Sequence, residues 1–527
     1  MASADTPQRA WRAACPNCGA PVDFASAASP IAVCSFCRST LARDGQALRR
    51  IGQSAELFDD HSPLQLGVAG RWQGAAFTLV GRLQMRYAEG RWNEWHALFD
   101  SGKSAWLSED NGRYVMAFDT PTPLQAPPAE ALHAGQSLAL DGRAWQVASV
   151  TQARVAAAQG ELPFAPDLAN EYTLVDLRNA QDEVATLDYA DAMLPKWSVG
   201  RSAALSELSL SGLREASEKT LGARGVQCPS CGAALDIKLA TTQSIVCHQC
   251  HAVVDVSQGV GGDLAHYAQD TPHFERGEPQ LPLGATASLA LGGPSVPWQV
   301  VGYVERCEIA EDADDEQVFW REYLLYRRTE GFAFLVDAED GWSWAIPITG
   351  APQVVGDTAR WRDESYRKLY SYSGQITYVL GEFYWQLERG QRTANTDYAS
   401  GAKRLNREQA GDELTWSAGQ AIDAAVIAAA FKLPGARGAA LAREASPLSG
   451  AGSSVPKNLI IAIIVVVMIV IMLKDCSRDE CDEIRATFGE ASNEYQQCRR
   501  SGSSGVRVPR TGGGSFGGGG GGGGGHK

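Results

Sequence analysis

Eight of the twelve cysteines stand in four C-x2-C pairs, Cys15 with Cys18, Cys34 with Cys37, Cys228 with Cys231 and Cys247 with Cys250. Fifteen residues separate the first pair from the second, and fifteen again separate the third from the fourth. Two tight C-x2-C turns at this distance bring four thiolates to the corners of a tetrahedron, the geometry of a closed zinc site. With sulfur at every corner none is left for a reacting water, so the expectation is two structural Zn2+ ions. Gly19, just past Cys18, supplies the positive φ such a turn needs. The run Cys247-His-Gln-Cys250-His251 also fits covalent haem attachment. That reading fails, because the matching turn of the first quartet ends in Arg38 and haem would leave Cys228 and Cys231 without a task.

Other residues of chemical interest are carboxylates that recur along the chain, Glu161 with Asp188 and Glu382 with Asp397. Paired carboxylates can exchange protons with a substrate, but in β modules they more often cap turns or anchor hairpins. Tyr384 and Trp385 follow Glu382, and together with Asp397 these residues form a candidate ligand pocket, against the plainer use of the two rings as core. H-E-x-x-H, a phosphate-binding loop, G-x-G-x-x-G after a strand and a nucleophile elbow are all missing from the sequence. No catalytic residue is assigned.

The elements that carry these residues come twice. Phe77-Thr-Leu-Val-Gly81-Arg returns as Trp298-Gln-Val-Val-Gly302-Tyr, and Trp92-Asn-Glu94-Trp95 as Trp320-Arg-Glu322-Tyr323. Gly160-Glu161-Leu162 matches Gly381-Glu382-Phe383, and Asp188-Tyr189-Ala190 matches Asp397-Tyr398-Ala399. Short runs of β-branched and aromatic residues, broken at Asp-Asn-Gly and Glu-Asp-Gly, predict antiparallel hairpins in both copies. The fold expected is mainly β: zinc ribbons over 12–45 and 225–257, each followed by a β-barrel or sandwich module over 60–212 and 280–430. Helix is expected at Ala421 to Phe431 and in the apolar run near the C-terminus. Cys307, in a strand, reads as a small buried hydrophobe.

Gly381-Glu-Phe-Tyr-Trp-Gln, Asp397-Tyr398 and Glu413-Leu-Thr-Trp416-Ser resemble the signature of the bacterial DUF4178 family, a domain of unknown function. The first copy resembles it through Trp92-Asn-Glu-Trp95, Trp106-Leu-Ser-Glu109-Asp and Trp197-Ser-Val-Gly200-Arg, and departs from it at Gly160-Glu-Leu-Pro163, where Tyr384 and Trp385 have no counterparts. The resemblance implies a bacterial, membrane-associated system in which such proteins accompany small membrane proteins and polyamine-metabolism-like enzymes. It implies no established reaction.

Leu459 to Leu473 is fifteen apolar residues without interruption between Lys457-Asn458 and Lys474. As a helix it is about 22 Å long, short of the ~30 Å hydrocarbon core, so flanking lysines must snorkel; a single span over 457–474 is expected. Residues 432–456, rich in Gly, Ala, Ser and Pro, read as a flexible tether, and the Gly-rich end 501–527 as a disordered tail. The N-terminus has no apolar leader, and ribbon thiolates need a reducing compartment. The large part is therefore expected in the cytoplasm of a bacterium, anchored in its inner membrane, with the tail outside. In 475–500, Cys481, Ile484, Phe488, Ala491, Tyr495 and Cys498 fall three and four apart, on one face of a helix. Cys481 and Cys498 would lie roughly 25 Å apart in a straight helix, so a disulfide would join two chains as a homodimer or close a hairpin bent near Gly489. Cys476 is left for lipidation or cross-linking.

A net charge of −14 argues against nucleic acid as a partner. The function expected is a membrane-anchored scaffold that binds protein partners, small membrane proteins of the same system among them, in an envelope or membrane-stress setting. Two alternatives remain open: a small-molecule sensor or enzyme, polyamine suiting the acidic balance, and a nucleic-acid-binding membrane protein using the ribbons.

Overall fold

The computed structural model describes residues 11–24, 29–44, 47–54, 62–88, 90–110, 112–214, 226–239, 242–256, 264–269, 272–273, 279–310, 317–388, 390–435, 438 and 441. These belong to one compact unit; the other, Leu448–Gly512, lies outside the described residues. The apolar run 459–473, Cys476, Cys481, Cys498 and the Gly-rich end therefore lie outside them too. Among the described residues no helix is long and apolar enough to cross a membrane.

Each copy folds into a closed antiparallel barrel of eight strands, which decides between the two expected forms of the module. In the first barrel the strands are β1 (Ala75–Arg86), β2 (Arg91–Phe99), β3 (Ser104–Asp110), β4 (Arg113–Thr120), β5 (Arg143–Leu162), β6 (Tyr172–Arg178), β7 (Glu183–Asp188) and β8 (Lys196–Ala203). Hairpins pair β1 to β4 in sequence and β5 to β8 in sequence. Two non-local ladders close the circle, β4 with β8 and β1 with the second half of β5. The second barrel repeats this with β9 (Val296–Glu308), β10 (Phe319–Arg327), β11 (Gly331–Ala338), β12 (Gly341–Ile348), β13 (Glu364–Phe383), β14 (Arg392–Ser400), β15 (Lys403–Ala410) and β16 (Glu413–Ala421). Its closing ladders are β12 with β16 and β9 with β13.

The twenty-residue strands β5 and β13 serve two partners each, so they must change direction along their length. Bulges between Val147 and Ser149 and between Lys368 and Tyr370 supply the extra twist. The repeated glycines of the sequence meet each other here: Gly81 pairs Gly160, and Gly302 pairs Gly381. Gly160 and Gly381 have φ of +71° and +91°, and a Cβ on either would stand 2.3 or 2.2 Å from the carbonyl oxygen of Val80 or Val301. Only glycine allows the two backbones to close the barrel at this crossing.

The ribbons extend these same long strands. Ile31–Val33 of the first pairs with the end of β5, Gly160↔Val33 to Leu162↔Ile31. Ser244 and Ile245 of the second pair with Phe383 and Glu382 at the end of β13. The cores are shared accordingly: Ile31 and Val33 pack with Leu83, Trp92, Trp106 and Leu162, while Val246 and Val253 pack with Trp320, Phe334, Phe383 and Trp385. A fully buried side chain of this size contributes about 1.5–3 kcal/mol, so each ribbon is fixed to its barrel by hydrophobic burial as well as by backbone pairing.

The C-terminal helix is shorter than expected. Ala421 completes β16, and α1 spans only Ala424–Ala430, starting where the Asp423 carboxylate accepts the Ala425 N–H at 2.8 Å. The tether expected from 432 also starts later. Leu441 is buried in the barrel core and its carbonyl accepts the Trp342 indole N–H at 3.1 Å, because Leu433 and Leu441 of this Gly/Ala-rich stretch still find apolar surface.

Candidate metal centres and the carboxylates behind them

In each quartet all four Sγ atoms lie within 4.8 Å of one another. Sγ–Sγ distances are 3.6 Å for Cys15 and Cys37, 3.7 Å for Cys18 and Cys34, 3.6 Å for Cys228 and Cys250 and 3.7 Å for Cys231 and Cys247. A disulfide needs about 2.05 Å, whereas four sulfurs bound at about 2.3 Å to a tetrahedral ion sit about 3.8 Å apart. The donor set therefore fits a metal ion with the zinc bond length.

The turns that hold the sulfurs are identical in both ribbons. The N–H of the residue after the second cysteine donates to the carbonyl of the first: Gly19 to Cys15, Arg38 to Cys34, Gly232 to Cys228 and His251 to Cys247, at 2.8–2.9 Å. All four donors have positive φ, from +58° to +77°, with Arg38 and His251 adopting it despite a side chain. Hydrogen bonds from Ser39 and Asn17 lower the Cys37 thiol to about 5, and the backbone N–H of Ala252 lowers Cys250 to about 7. In each quartet another sulfur moves the opposite way: against the backbone N–H of Ala20 or Ala233, Cys18 and Cys231 are raised by burial and by the neighbouring cysteines, so a metal binding there displaces protons. The ring of His251 reaches the barrel, with Nδ1 3.1 Å from the Tyr378 hydroxyl.

Behind the second centre, Glu382 joins ribbon to barrel. Its carboxylate accepts the N–H of Lys238 at 3.0 Å, the N–H of Leu239 at 2.9 Å and the Thr242 hydroxyl at 2.6 Å. Burial raises its pKa and these donors oppose the rise. Glu161 occupies the same place in the first barrel and is also buried. Residues 25–28, which correspond to the loop from Lys238, lie outside the described residues.

The other members of the candidate pocket are dispersed. Tyr384 and Trp385 are buried in the core, the Tyr384 ring 4.2 Å from Phe332 and the Trp385 ring 5.0 Å from Phe383. Asp397 accepts the Asn406 amide at 2.7 Å and pairs opposite Tyr370, twelve positions along β13 from Glu382 and on the order of 40 Å of strand away. Burial holds its pKa well above the usual carboxylate range. The register also corrects its match in the first copy. Asp176, which accepts the Thr186 hydroxyl at 2.8 Å, is the counterpart of Asp397, since each stands across the ladder from the residue after a bulge. Asp188 lies on the next strand, in the place of Glu408, and accepts the Ala190 N–H at 2.8 Å.

The sequence reading missed a set of buried carboxylates. Glu94 and Glu322 each accept the indole N–H of the tryptophan two residues earlier, Trp92 or Trp320, at 2.9 Å. The Trp-x-Glu spacing was visible and places both side chains on one strand face. Glu109 accepts from Ser62, Asn93 and Trp95, and its counterpart Asp337 is paired with Arg321. In the second barrel only, Arg306 lies 3.2 Å from Glu322 and 3.4 Å from Glu408, all three buried. Burial raises Glu408 to about 8 against the opposing charge of Arg306. Met85 stands in the position of Arg306 in the first barrel. Between the barrels, Asp110, Arg113, Arg178 and Glu413 line a cavity of about 50 Å³, room for a few waters.

Two segments, residues 65–204 and 294–424, match the model of the family described as Domain of unknown function (DUF4178), and together they make up more than half of the chain. The protein belongs to the DUF4178 family. No curated protein and no solved structure matches it. Each matched segment is one barrel, so the DUF4178 unit in this chain is the eight-stranded barrel, and each copy carries a cysteine quartet on its longest strand.

Proposed function

We propose that this DUF4178 protein is a membrane-anchored binding scaffold: two barrels, each stiffened by a zinc ribbon, tethered to a single span at 457–474 and facing the cytoplasm of a bacterium, with the tail outside. The observation that carries this reading is how the recurring polar residues are used. Glu94, Glu109, Asp176 and their counterparts are hydrogen-bonded or ion-paired within the barrels, and Glu382 to the ribbon, which leaves surface rather than interior chemistry as what the barrels offer. The sulfur-only donor set and the spacing of the sulfurs support zinc as the metal. Tandem barrels on one anchor gain avidity from high effective concentration, which suits binding of small membrane proteins of the same system in envelope or membrane stress. Affinity capture of the full chain in detergent from its native host tests this. Stoichiometric protein partners are the expected result; a retained metabolite without them would replace the scaffold by a sensor.

A further inference from the structure

Two connections of the first barrel do not copy their counterparts in the second. Sixteen residues, 121–136, follow β4 before the next strand at Ser137, whereas after β12 only four, 349–352, precede a short hairpin of Gln353–Val355 with Thr358–Trp361. Pairing of β7 with β8 stops at Asp188↔Lys196, leaving 189–195 as a loop, while β15 and β16 pair on to Ala410↔Glu413 and a two-residue turn. That tight end of the second barrel is buried against the first. Trp416 donates to Gln146 at 2.9 Å, and the Asp412 carbonyl accepts the Val150 N–H at 3.2 Å.

The matching end of the first barrel is covered by its own connections instead, with Leu132, Tyr189, Ala126 and Ala129 packed in the core around Trp197. Trp197 takes the place of Trp416, and its buried indole N–H has no partner among the described residues. It lines a groove of about 490 Å³ walled by Pro121, Pro123, Leu124, Met193, Leu194 and Pro195. The Thr122 hydroxyl donates to the Pro195 carbonyl at 2.6 Å and ties the two loops together, while Asp191 accepts the N–H groups of Met193 and Leu194 at 3.0 and 3.3 Å. The loops are therefore built, yet Leu124 is 105 % exposed, Met193 86 % and Leu194 74 %. Another barrel would not repeat the docking, because Arg367, a donor only, replaces Gln146 in the second copy.

We propose that this end of the first barrel rests on the lipid bilayer, with Leu124, Met193 and Leu194 among the acyl chains. This rests on the membrane-anchor reading above. Residues 120–129 and 192–195 carry no charge, and the charged groups, Asp119, Glu130, Asp191 and Lys196, stand at their edges, where headgroups and water would meet them. Seventeen residues separate Leu441 from the apolar run, at most roughly 60 Å of chain, so an anchored chain holds its barrels at a high local concentration near the bilayer. A contact of three apolar side chains is weak alone, as a single acyl anchor is, and becomes effective on a tether.

The test uses the full chain in phosphatidylcholine proteoliposomes, with a benzophenone amino acid in place of Leu124, Met193 or, as the control, the exposed Val355 of the second barrel. Lipid adducts at 124 and 193, several-fold above those at 355, are expected. Adducts to a second chain, or none above the control, overturn the proposal. Carbonate extraction of the same vesicles separates it from the anchor reading: protein that resists extraction without lipid adducts at 124 and 193 refutes the patch and keeps the span. Extracted protein that carries the adducts supports the patch and refutes the span.

Discussion

Arg306, Glu322 and Glu408 put one positive and two potential negative charges in the interior of the second barrel, where a net charge is costly. The cluster is neutral if one carboxyl keeps its proton, which is the state that the rise of Glu408 to about 8 describes. The sign follows from linkage. An unfolded glutamate loses its proton near 4.3 and the folded one near 8, so the unfolded state binds fewer protons in between, and stability falls as pH rises across that window. Glu408→Gln keeps the shape of the protonated acid. Thermal melts from pH 5 to 8.5 are expected to show a declining Tm in the wild type and a flatter profile in the variant, the two converging at pH 5. A variant whose Tm falls as steeply as the wild type would refute this assignment. At the barrel crossing, Gly381→Ala places a Cβ about 2.2 Å from a carbonyl in a left-handed backbone conformation, and a loss of more than about 2 kcal/mol in denaturant melts is expected. Gly390→Ala, also at positive φ but with no atom near its Cβ, should cost less.

At the scale of elements, the ribbon and the long strand act as one piece. Glu382→Ala removes the acceptor for two backbone N–H groups and the Thr242 hydroxyl, a cost on the order of 2–4 kcal/mol for buried donors left unmade. Hydrogen exchange should quicken at 238–246 while β14 to β16 keep their protection; unchanged protection at Leu239 would show that Glu382 does not hold the loop. Cys18→Ser should empty the first centre and leave the second occupied, taking metal analysis from about two ions per chain to one. The quartets and the repeated glycines were legible in the sequence because their chemistry allows few substitutes. Asp176 was not. Asp-Tyr-Ala recurs at 188 and 397 by letter, whereas the equivalence of Asp176 and Asp397 is fixed by register, with Thr186 as the donor in one copy and Asn406 in the other. Closure into barrels was equally hidden, since the deciding ladder β4 with β8 joins residues about eighty apart and leaves no local pattern.

For the whole molecule, the described core ends at Leu441, and truncation near Ser454 removes the apolar run without touching a described contact. That fragment is expected to leave the membrane fraction and to keep both metals, by centrifugation and metal analysis. Retention in membranes would show that the barrels themselves bind lipid or a membrane partner. Fragments ending before Leu441 should be less stable, because they expose the core that Leu441 covers. The expected seam at Cys481 and Cys498 lies outside the described residues, and non-reducing gels of thiol-blocked membranes decide it: a dimer band lost in the double serine variant supports pairing between chains.

The attachment of each ribbon to the far end of its barrel's longest strand also sets a clock. Val246 of the second ribbon leaves the ribosome 136 residues before Glu382, and Val33 of the first 127 residues before Gly160. At ~5–20 residues per second each ribbon waits roughly 6–27 s with one strand edge unpaired and only a small core of its own, so that a metal bound to its four sulfurs would matter most then. Zinc supply during translation, rather than afterwards, should then decide the yield. Chains made under chelation are expected to aggregate, and zinc restored after synthesis to rescue far less than the same zinc present throughout.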